Sequence, residues 1–195
     1  MKKMLMIGAG GIQSYLAEHL QRLIMAEQID MEEYEIYIAD FDVVERKNIR
    51  YQNFEVSEIF ENKATALSKR YGFFPIVKKI EDESQLDGYD LYIMGVDNSA
   101  TRKFIYEYCI SHNKEFIDLR CEGRGVAFFT TGVDNQEYIK SLGTISDEGG
   151  SCQLKYDLDK DVIQNGNVII ASIGSQLVLN WIRSEYNPTK FIQRI

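Results

Sequence analysis

The fold is decided by residues 4–12, which read Met4-Leu5-Met6-Ile7-Gly8-Ala9-Gly10-Gly11-Ile12. Four consecutive apolar residues favour a buried central strand of a parallel sheet. The glycines that follow at once predict a tight turn, and apolar residues then recur at helical spacing from Ile12 to Leu23. We therefore predict a strand, a glycine turn and a helix that runs to about Ala26.

Further apolar runs along the chain predict more strands, and turn residues separate these runs. The predicted strands are 34–39, 73–80, 91–96, 115–119, 125–131 and a short edge strand at 191–195. Little chain separates the strands 115–119 and 125–131, so the second of them is expected to be antiparallel to the first.

Helical patterns lie between the predicted strands. Ser57 is expected to cap a helix that runs to about Arg70, and Ser99 is expected to cap the next one. A last helix is predicted from about Val168 to Ser184, and residues 132–152 are predicted to be a loop.

The alternation of strands and helices predicts the fold class and a single domain. We expect an α/β, doubly wound, Rossmann-like and mostly parallel sheet with an antiparallel extension. The expected divisions are a core over 1–131, a loop or crossover region over 132–164, and a C-terminal helix and tail over 165–195.

Composition and charge exclude several classes of function. The chain has 195 residues and a formal net charge of −8, which disfavours nucleic acid and anionic membranes as partners. Its apolar runs are too short to span a membrane, and the first ends at Gly8, too early for a signal peptide. The three cysteines are an odd number without a secretory signal, which favours reduced thiols and so a cytoplasmic protein.

The glycine turn favours an anion site. Glycines that open a helix expose backbone N–H groups at the positive end of the helix dipole, where a phosphate binds well. The strict dinucleotide fingerprint requires Gly or Ala at its sixth position, which is Gln13 here. The alternative is a tight strand-to-helix turn without a ligand.

Acidic residues follow two of the predicted strands. Asp40 and Asp42 come after the second strand, and Asp97-Asn98 come after the fourth. Ligands bind beyond the carboxyl ends of strands in such sheets. A carboxylate in the position of Asp40 can accept hydrogen bonds from the hydroxyls of a ribose. The alternatives are a solvated acidic turn at Asp40 and a simple helix cap at Asp97-Asn98.

Taken together, these segments resemble the ThiF/MoeB/HesA family, relatives of the ubiquitin-activating enzymes. The resemblance covers about residues 3–131, and its motifs occur in family order. The matching residues are Gly8-Ala9-Gly10-Gly11-Ile12, Asp40-Phe41-Asp42-Val43-Val44, Asn48, Gln52, Lys63, and Asp97-Asn98 with Arg102.

The resemblance implies ATP and Mg²⁺ as cofactors and adenylation of a carboxylate as the reaction. It implies that Asp40 holds the ribose, that Asn48 and Lys63 contact the phosphates, and that Asp97 helps to place magnesium and the reacting phosphate. The implied nucleotide-binding set is Gly8, Gly10, Gly11, Asp40, Asp42, Asn48, Gln52, Lys63, Asp97 and Asn98. The implied partners are a ubiquitin-like carrier protein with a Gly-Gly C-terminus and a second copy of the chain.

The sequence departs from the family pattern at several positions. Tyr51 stands where the family usually has Arg, and Arg50 precedes it as a candidate for the same phosphate contact. No segment before the first strand supplies the Arg that a partner subunit gives in many relatives. We therefore expect a slower site, one that another protein completes, or one retained for binding.

Cys152 is the candidate for a thioester with the activated acyl group, because relatives often place a cysteine in this region. An inert loop cysteine is an equal alternative. Cys109 is expected in the core, and Cys121 is less suited to the role of nucleophile.

Two other functions remain open on the same fold. A non-catalytic nucleotide-binding partner subunit is compatible with Tyr51. An NAD-dependent oxidoreductase is less well supported, since Gln13 and the Asp40-x-Asp42 pair weigh against it.

Overall fold

The computed structural model describes residues 1–143 and 153–195, and these residues contain seven strands. The strands are β1 (Lys2–Ile7), β2 (Tyr34–Ala39), β3 (Phe74–Ile76), β4 (Leu91–Met94), β5 (Glu115–Glu122), β6 (Gly125–Thr130) and β7 (Lys190–Arg194).

Six α-helices lie between the strands in the described parts of the chain. They are α1 (Gly11–Met25), α2 (Lys63–Tyr71), α3 (Ser99–Ser111), α4 (Asn135–Leu142), α5 (Lys155–Asp159) and α6 (Gly166–Ile182). Short 3₁₀ turns occur at Asn48–Arg50, Val56–Glu58 and Glu83–Gln85.

All seven strands form one sheet in the order β3-β2-β1-β4-β5-β6-β7. The first five are parallel, and β6 and β7 are antiparallel to their neighbours. The predicted α/β fold with an antiparallel extension is therefore confirmed. Ile7 pairs with Ala39 on one side and Met94 on the other, so the carboxyl ends of β1, β2 and β4 lie at one edge of the sheet.

The two faces of the sheet bury separate apolar layers. Met4 and Met6 belong to the layer packed with α1 and α6, whereas Leu5 and Ile7 belong to the layer packed with α3 and α4. These four side chains are at most 2% exposed, and burial of each stabilises the fold by about 1.5–3 kcal/mol. The helices on both faces hold the carboxyl end of β1 firmly, directly before the glycine turn.

Helix α2 begins later than its predicted cap at Ser57. Residues Val56–Glu58 form a separate 3₁₀ turn, and Phe60 then adopts a left-handed backbone conformation with φ of 75°. The cap of α2 is Asn62, whose side chain accepts a hydrogen bond of 2.9 Å from the Thr65 amide. The left-handed residue ends one turn and lets the next begin, a break that the apolar spacing did not show.

Strand β3 is shorter than predicted, because it ends at Ile76 and not at Ile80. It contains Pro75 and lies at the edge of the sheet, where proline is tolerated since one side of the strand lacks a partner. Lys78 and Lys79, which the prediction placed inside the strand, therefore follow its carboxyl end.

The prediction of loop for 132–152 is wrong over Asn135–Leu142, which is helix α4. Asp134 caps this helix by accepting from the Glu137 amide at 2.9 Å, and Tyr138 and Leu142 bury one face of it. The cap of α3 is likewise Asn98 and not Ser99, with a hydrogen bond of 3.0 Å from the Thr101 amide. Across the described ranges, every helix is too short or too polar to cross a bilayer.

Candidate nucleotide site

A cavity of about 390 Å³ opens at the carboxyl ends of β1, β2 and β4. The strand order reverses between β1 and β4, and the cavity lies at this point, which is the place where such sheets bind ligands. All ten residues of the predicted nucleotide-binding set line it: Gly8, Gly10, Gly11, Asp40, Asp42, Asn48, Gln52, Lys63, Asp97 and Asn98.

The glycine turn forms the floor of the cavity. Gly8 has φ of 91°, and a Cβ there would lie 3.1 Å from the Gly95 carbonyl oxygen. A Cβ on Gly11 would lie only 2.4 Å from Nδ2 of Asn167, whereas one on Gly10 would have no atom within 4 Å. Gly10 is also the N-cap of α1, and no side chain caps that helix. The backbone at this turn is therefore open to a ligand, and helix N–H groups face the cavity side.

Gln13, at the sixth position of the glycine turn, has a structural role that glycine could not fill. Its side chain is fully buried, and its Nε2 donates a hydrogen bond of 2.7 Å to the Ile93 carbonyl of β4. Gly95 leaves room for this side chain, since a Cβ at Gly95 would lie 2.4 Å from Cγ of Gln13. Gln13 thus fixes the end of β4 against the start of α1.

Asp40 supports the turn from the end of β2. One carboxylate oxygen accepts from the Ala9 amide at 2.6 Å, and the other accepts from the Asp42 amide at 2.7 Å. Burial raises the pKa of Asp40, and the two amide hydrogen bonds and Lys63 oppose that shift. Bound hydroxyl donors would favour the ionised form, which suits a ribose-binding carboxylate.

Lys63 is held at the first turn of α2. Its side chain is 10% exposed, and Nζ lies 3.3 Å from a carboxylate oxygen of Asp42. The preceding residue, Asn62, fixes the position of Lys63, because the side-chain Nδ2 of Asn62 donates to the carbonyls of Asp40 and Asp42 at 3.0 and 2.9 Å. The ammonium group therefore lines the cavity, and it is not the solvated surface charge that a helical lysine usually is.

The segment between β2 and α2 covers one side of the cavity. Asn48 is buried, and its side-chain oxygen accepts from the Glu45 amide at 2.8 Å. Gln52 also lines the cavity, and its buried Oε1 has no hydrogen-bond partner within the described part of the chain. A buried acceptor without a donor is costly, so Gln52 fits a ligand that brings a hydroxyl or N–H group.

Asp97 stands at the end of β4 as an exposed carboxylate. No group of three or more His, Cys, Asp or Glu side chains within 1–143 and 153–195 is arranged to hold a metal ion. Mg²⁺ is commonly bound by one or two carboxylates together with substrate phosphates. The residues present therefore fit a magnesium ion that arrives with a nucleotide, because the exposed Asp97 carboxylate at the cavity is available to it.

The predicted catalytic residue Arg50 makes an ion pair outside this wall. The guanidinium of Arg50 pairs with the Asp161 carboxylate, and Arg50 does not line the cavity. Tyr51 does line it, and its carbonyl accepts from Nδ2 of Asn167 at 3.2 Å. Cys152 lies outside the described residues, so its role stays a prediction, as does a phosphate contact by Arg50.

Of the other two cysteines, Cys109 lies in the core as predicted, whereas Cys121 lies within β5 and not after it. Cys109 is fully buried, and burial raises its pKa to about 12. The thiol of Cys121 is half-buried and contacts the Gly123 carbonyl at 3.6 Å. Cys109 is therefore a core residue without a nucleophilic role.

The sequence reasoning missed three lysines of the cavity wall, which are Lys47, Lys78 and Lys79. Lys47 directly precedes Asn48, so its place in the motif was a usable signal. Lys78 and Lys79 were hidden by the overlong strand prediction. Asn167 gave no signal, since its contact with Gly11 joins residues 156 positions apart.

Comparisons with known proteins agree with this architecture. The family model described as the ThiF family matches residues 1–195. No curated protein matches the chain significantly.

Solved structures similar to this chain include E. coli MccB. MccB with succinimide superimposes with a TM-score of 0.71 at 16% identity, covering 100% of this chain and 61% of that one. MccB with ATP gives 0.69 at 17% identity, covering 100% and 60%. Selenomethionine PaaA gives 0.69 at 16% identity, covering 100% and 70%. The chain thus shares their fold and spans about three fifths of the length of MccB.

Proposed function

The chain belongs to the ThiF family, and on that premise we propose that it binds ATP and adenylates a carboxylate at the C-terminus of a polypeptide. The observation that carries the proposal is the cavity at the ends of β1, β2 and β4. Its wall unites the glycine turn, Asp40, Lys63 and Asp97, which come from four separate segments of the chain.

We assign the ribose to Asp40 and the phosphates to the glycine turn and Lys63. Asp40 is already oriented by two amide hydrogen bonds, so it presents a fixed acceptor at the end of β2. Lys63 supplies a positive charge in a largely buried place, where electrostatic attraction to phosphate is stronger than in water. Preorganised donors of this kind are what a reaction that concentrates charge on phosphate oxygens requires.

In the proposed reaction a carboxylate oxygen of the substrate attacks the α-phosphorus of ATP. A carbon–oxygen–phosphorus link forms, the bond from the α-phosphorus to the bridging oxygen breaks, and pyrophosphate leaves with that electron pair. Mg²⁺ bound with the nucleotide would neutralise phosphate charge, and Asp97 is the side chain we propose to hold it.

The finer substrate proposal is a ubiquitin-like carrier protein that ends in Gly-Gly, taken up by a homodimer of this chain. Its support is the resemblance of the site motifs to those of the ubiquitin-activating relatives. E. coli MccB, whose fold this chain shares, has been solved in complex with N-formylated MccA, and that complex supports a polypeptide substrate in general.

The test is adenylate formation, followed by mass spectrometry, with ATP, Mg²⁺ and polypeptides that have free C-termini, with and without Gly-Gly. Asp97→Ala and Lys63→Met should each lower the rate at least 100-fold, because both remove charge stabilisation at the phosphates. Lys69→Met is the matched control, since Lys69 lies on the same helix but pairs with Glu61 on the exposed surface. If Lys63→Met and Lys69→Met lowered the adenylation rate equally, that result would contradict the assignment of the phosphates to Lys63.

A non-catalytic nucleotide-binding subunit is the second candidate. It is favoured by Tyr51 in the place of the family arginine and by the pairing of Arg50 with Asp161. Tight ATP binding without an adenylate on any polypeptide would favour it, whereas preference for NAD over ATP would favour an oxidoreductase.

A further inference from the structure

A buried group of charged and polar side chains lies at the middle of β5, beside the end of β4. Asp118 is fully buried at the centre of this group, and Arg102 and Arg120 are at most 8% exposed. Asp118 pairs with both guanidinium groups, and it also accepts from the Tyr138 hydroxyl at 2.9 Å. We call these four residues the Asp118 network.

Arg102 differs from Arg120 in what else it contacts. The Arg102 guanidinium donates to the Val96 carbonyl and, at 3.2 Å, to the Leu119 carbonyl. Arg120 instead points toward α4, where it donates to the Ser141 side chain at 2.9 Å. Of these two arginines, Arg102 is therefore the one that bonds to the Val96 carbonyl, just beyond the end of β4.

The Val96 carbonyl belongs to the residue directly before Asp97. On the other side of Asp97, the Asn98 side chain accepts from the Thr101 amide at 3.0 Å, and the Arg102 amide donates to the Asn98 carbonyl at 3.1 Å. The backbone on both sides of Asp97 is thus tied to the first turn of α3. The Asp97 carboxylate itself stays exposed at the cavity.

We propose that Arg102 is a positioning residue that sets the place of the Asp97 carboxylate by holding the Val96 carbonyl, and that it acts on metal–nucleotide binding without touching either. This inference rests on the proposed function for the role of Asp97. A guanidinium suits the task because its planar fork donates in several fixed directions at once, which an ammonium group does not. The cost of burying the charge is offset by the pair with Asp118.

The test compares Arg102→Met with Arg120→Met, which removes a charge from the same network without touching β4. The measured quantity is the ratio of the ATP dissociation constant without Mg²⁺ to that with Mg²⁺, alongside the free energy of unfolding. We expect both variants to lose stability, but only Arg102→Met to lower the ratio at least fivefold, toward the value of Asp97→Ala. Arg120→Met should change it less than twofold.

Arg102→Lys provides a second measurement if the methionine variant does not fold. It keeps the charge but loses the fork, so we expect an intermediate ratio. The inference would be overturned if the ratio of dissociation constants stayed unchanged in the Arg102 variants. It would also be overturned if Arg120→Met lowered this ratio as much as Arg102→Met does. So would a wild-type protein whose ATP affinity does not depend on Mg²⁺. Absence of adenylate formation alone would reject the proposed reaction and leave this ratio to decide the role of Arg102.

Discussion

At the scale of single residues, two glycines of the cavity wall have opposite surroundings. A methyl group on Gly10 meets open space, whereas one on Gly95 meets Cγ of Gln13 at 2.4 Å. We predict that Gly10→Ala keeps the free energy of unfolding within about 1 kcal/mol and weakens ATP binding, because the methyl group occupies the space of the phosphates. Gly95→Ala should cost about 1–3 kcal/mol by overpacking.

Denaturant unfolding and ATP titration of the two variants check this contrast. Gln13→Ala combined with Gly95→Ala is the control, since removal of the Gln13 side chain should recover part of the stability lost at Gly95. Undiminished ATP affinity in Gly10→Ala would show that the nucleotide does not approach the turn.

The raised pKa of Asp40 leads to a prediction about how stability depends on pH. Burial raises its folded-state pKa above the ordinary value of 3.8, so its contribution to stability is fully present below that value and is lost as pH rises through the folded pKa. Ribose hydroxyls that donate to the ionised carboxylate should lower this pKa. NMR titration of Asp40 with and without ATP measures both values, and an ATP-induced increase in the pKa would contradict the ribose contact.

At the scale of elements, the first turn of α2 joins a helix cap to the site. Asn62 caps the helix and also holds the carbonyls of Asp40 and Asp42. We predict that Asn62→Ala costs about 1–2 kcal/mol of stability and also weakens ATP binding, because the cap and the place of Lys63 are lost together.

Asp134→Ala is the matched control for the cap, because Asp134 caps α4 with the same side-chain-to-amide bond and does not line the cavity. It should lower the melting temperature to a similar extent and leave the ATP dissociation constant unchanged. A similar loss of ATP affinity in both variants would assign the effect to general destabilisation.

Elements with strong local patterns could be predicted from the sequence. β1, the glycine turn and α1 follow from an apolar run, a glycine cluster and helical spacing, and β2 was predicted with its observed bounds. The late start of α2 depends on the left-handed Phe60, and the early end of β3 depends on its place at the sheet edge. Neither property is visible in a local apolar pattern.

At the scale of the whole molecule, the sheet brings the predicted site residues together because parallel strands end at one edge. Motif order therefore predicted ten of the 22 residues that line the cavity. Contacts between distant segments could not be predicted, such as Asn167 against Gly11 and the pairing of Arg50 with Asp161. These contacts depend on how helices pack, which spacing along one chain does not encode.

Binding of ATP should stabilise the whole fold, since the cavity joins the ends of three strands. At a concentration 100 times the dissociation constant, ATP with Mg²⁺ should add about 2.7 kcal/mol and raise the melting temperature by about 5–10 °C. NAD at the same concentration is the control and should give a much smaller shift. An equal shift with NAD would instead support a dinucleotide site.

The most direct measurement is a crystal structure of the protein with Mg²⁺ and a non-hydrolysable ATP analogue. We expect the ribose on the Asp40 carboxylate, the phosphates over Gly10 and beside Lys63, and the metal ion on Asp97. A nucleotide bound elsewhere on the molecule, or one whose phosphates point away from Lys63 and Asp97, would contradict the proposed site.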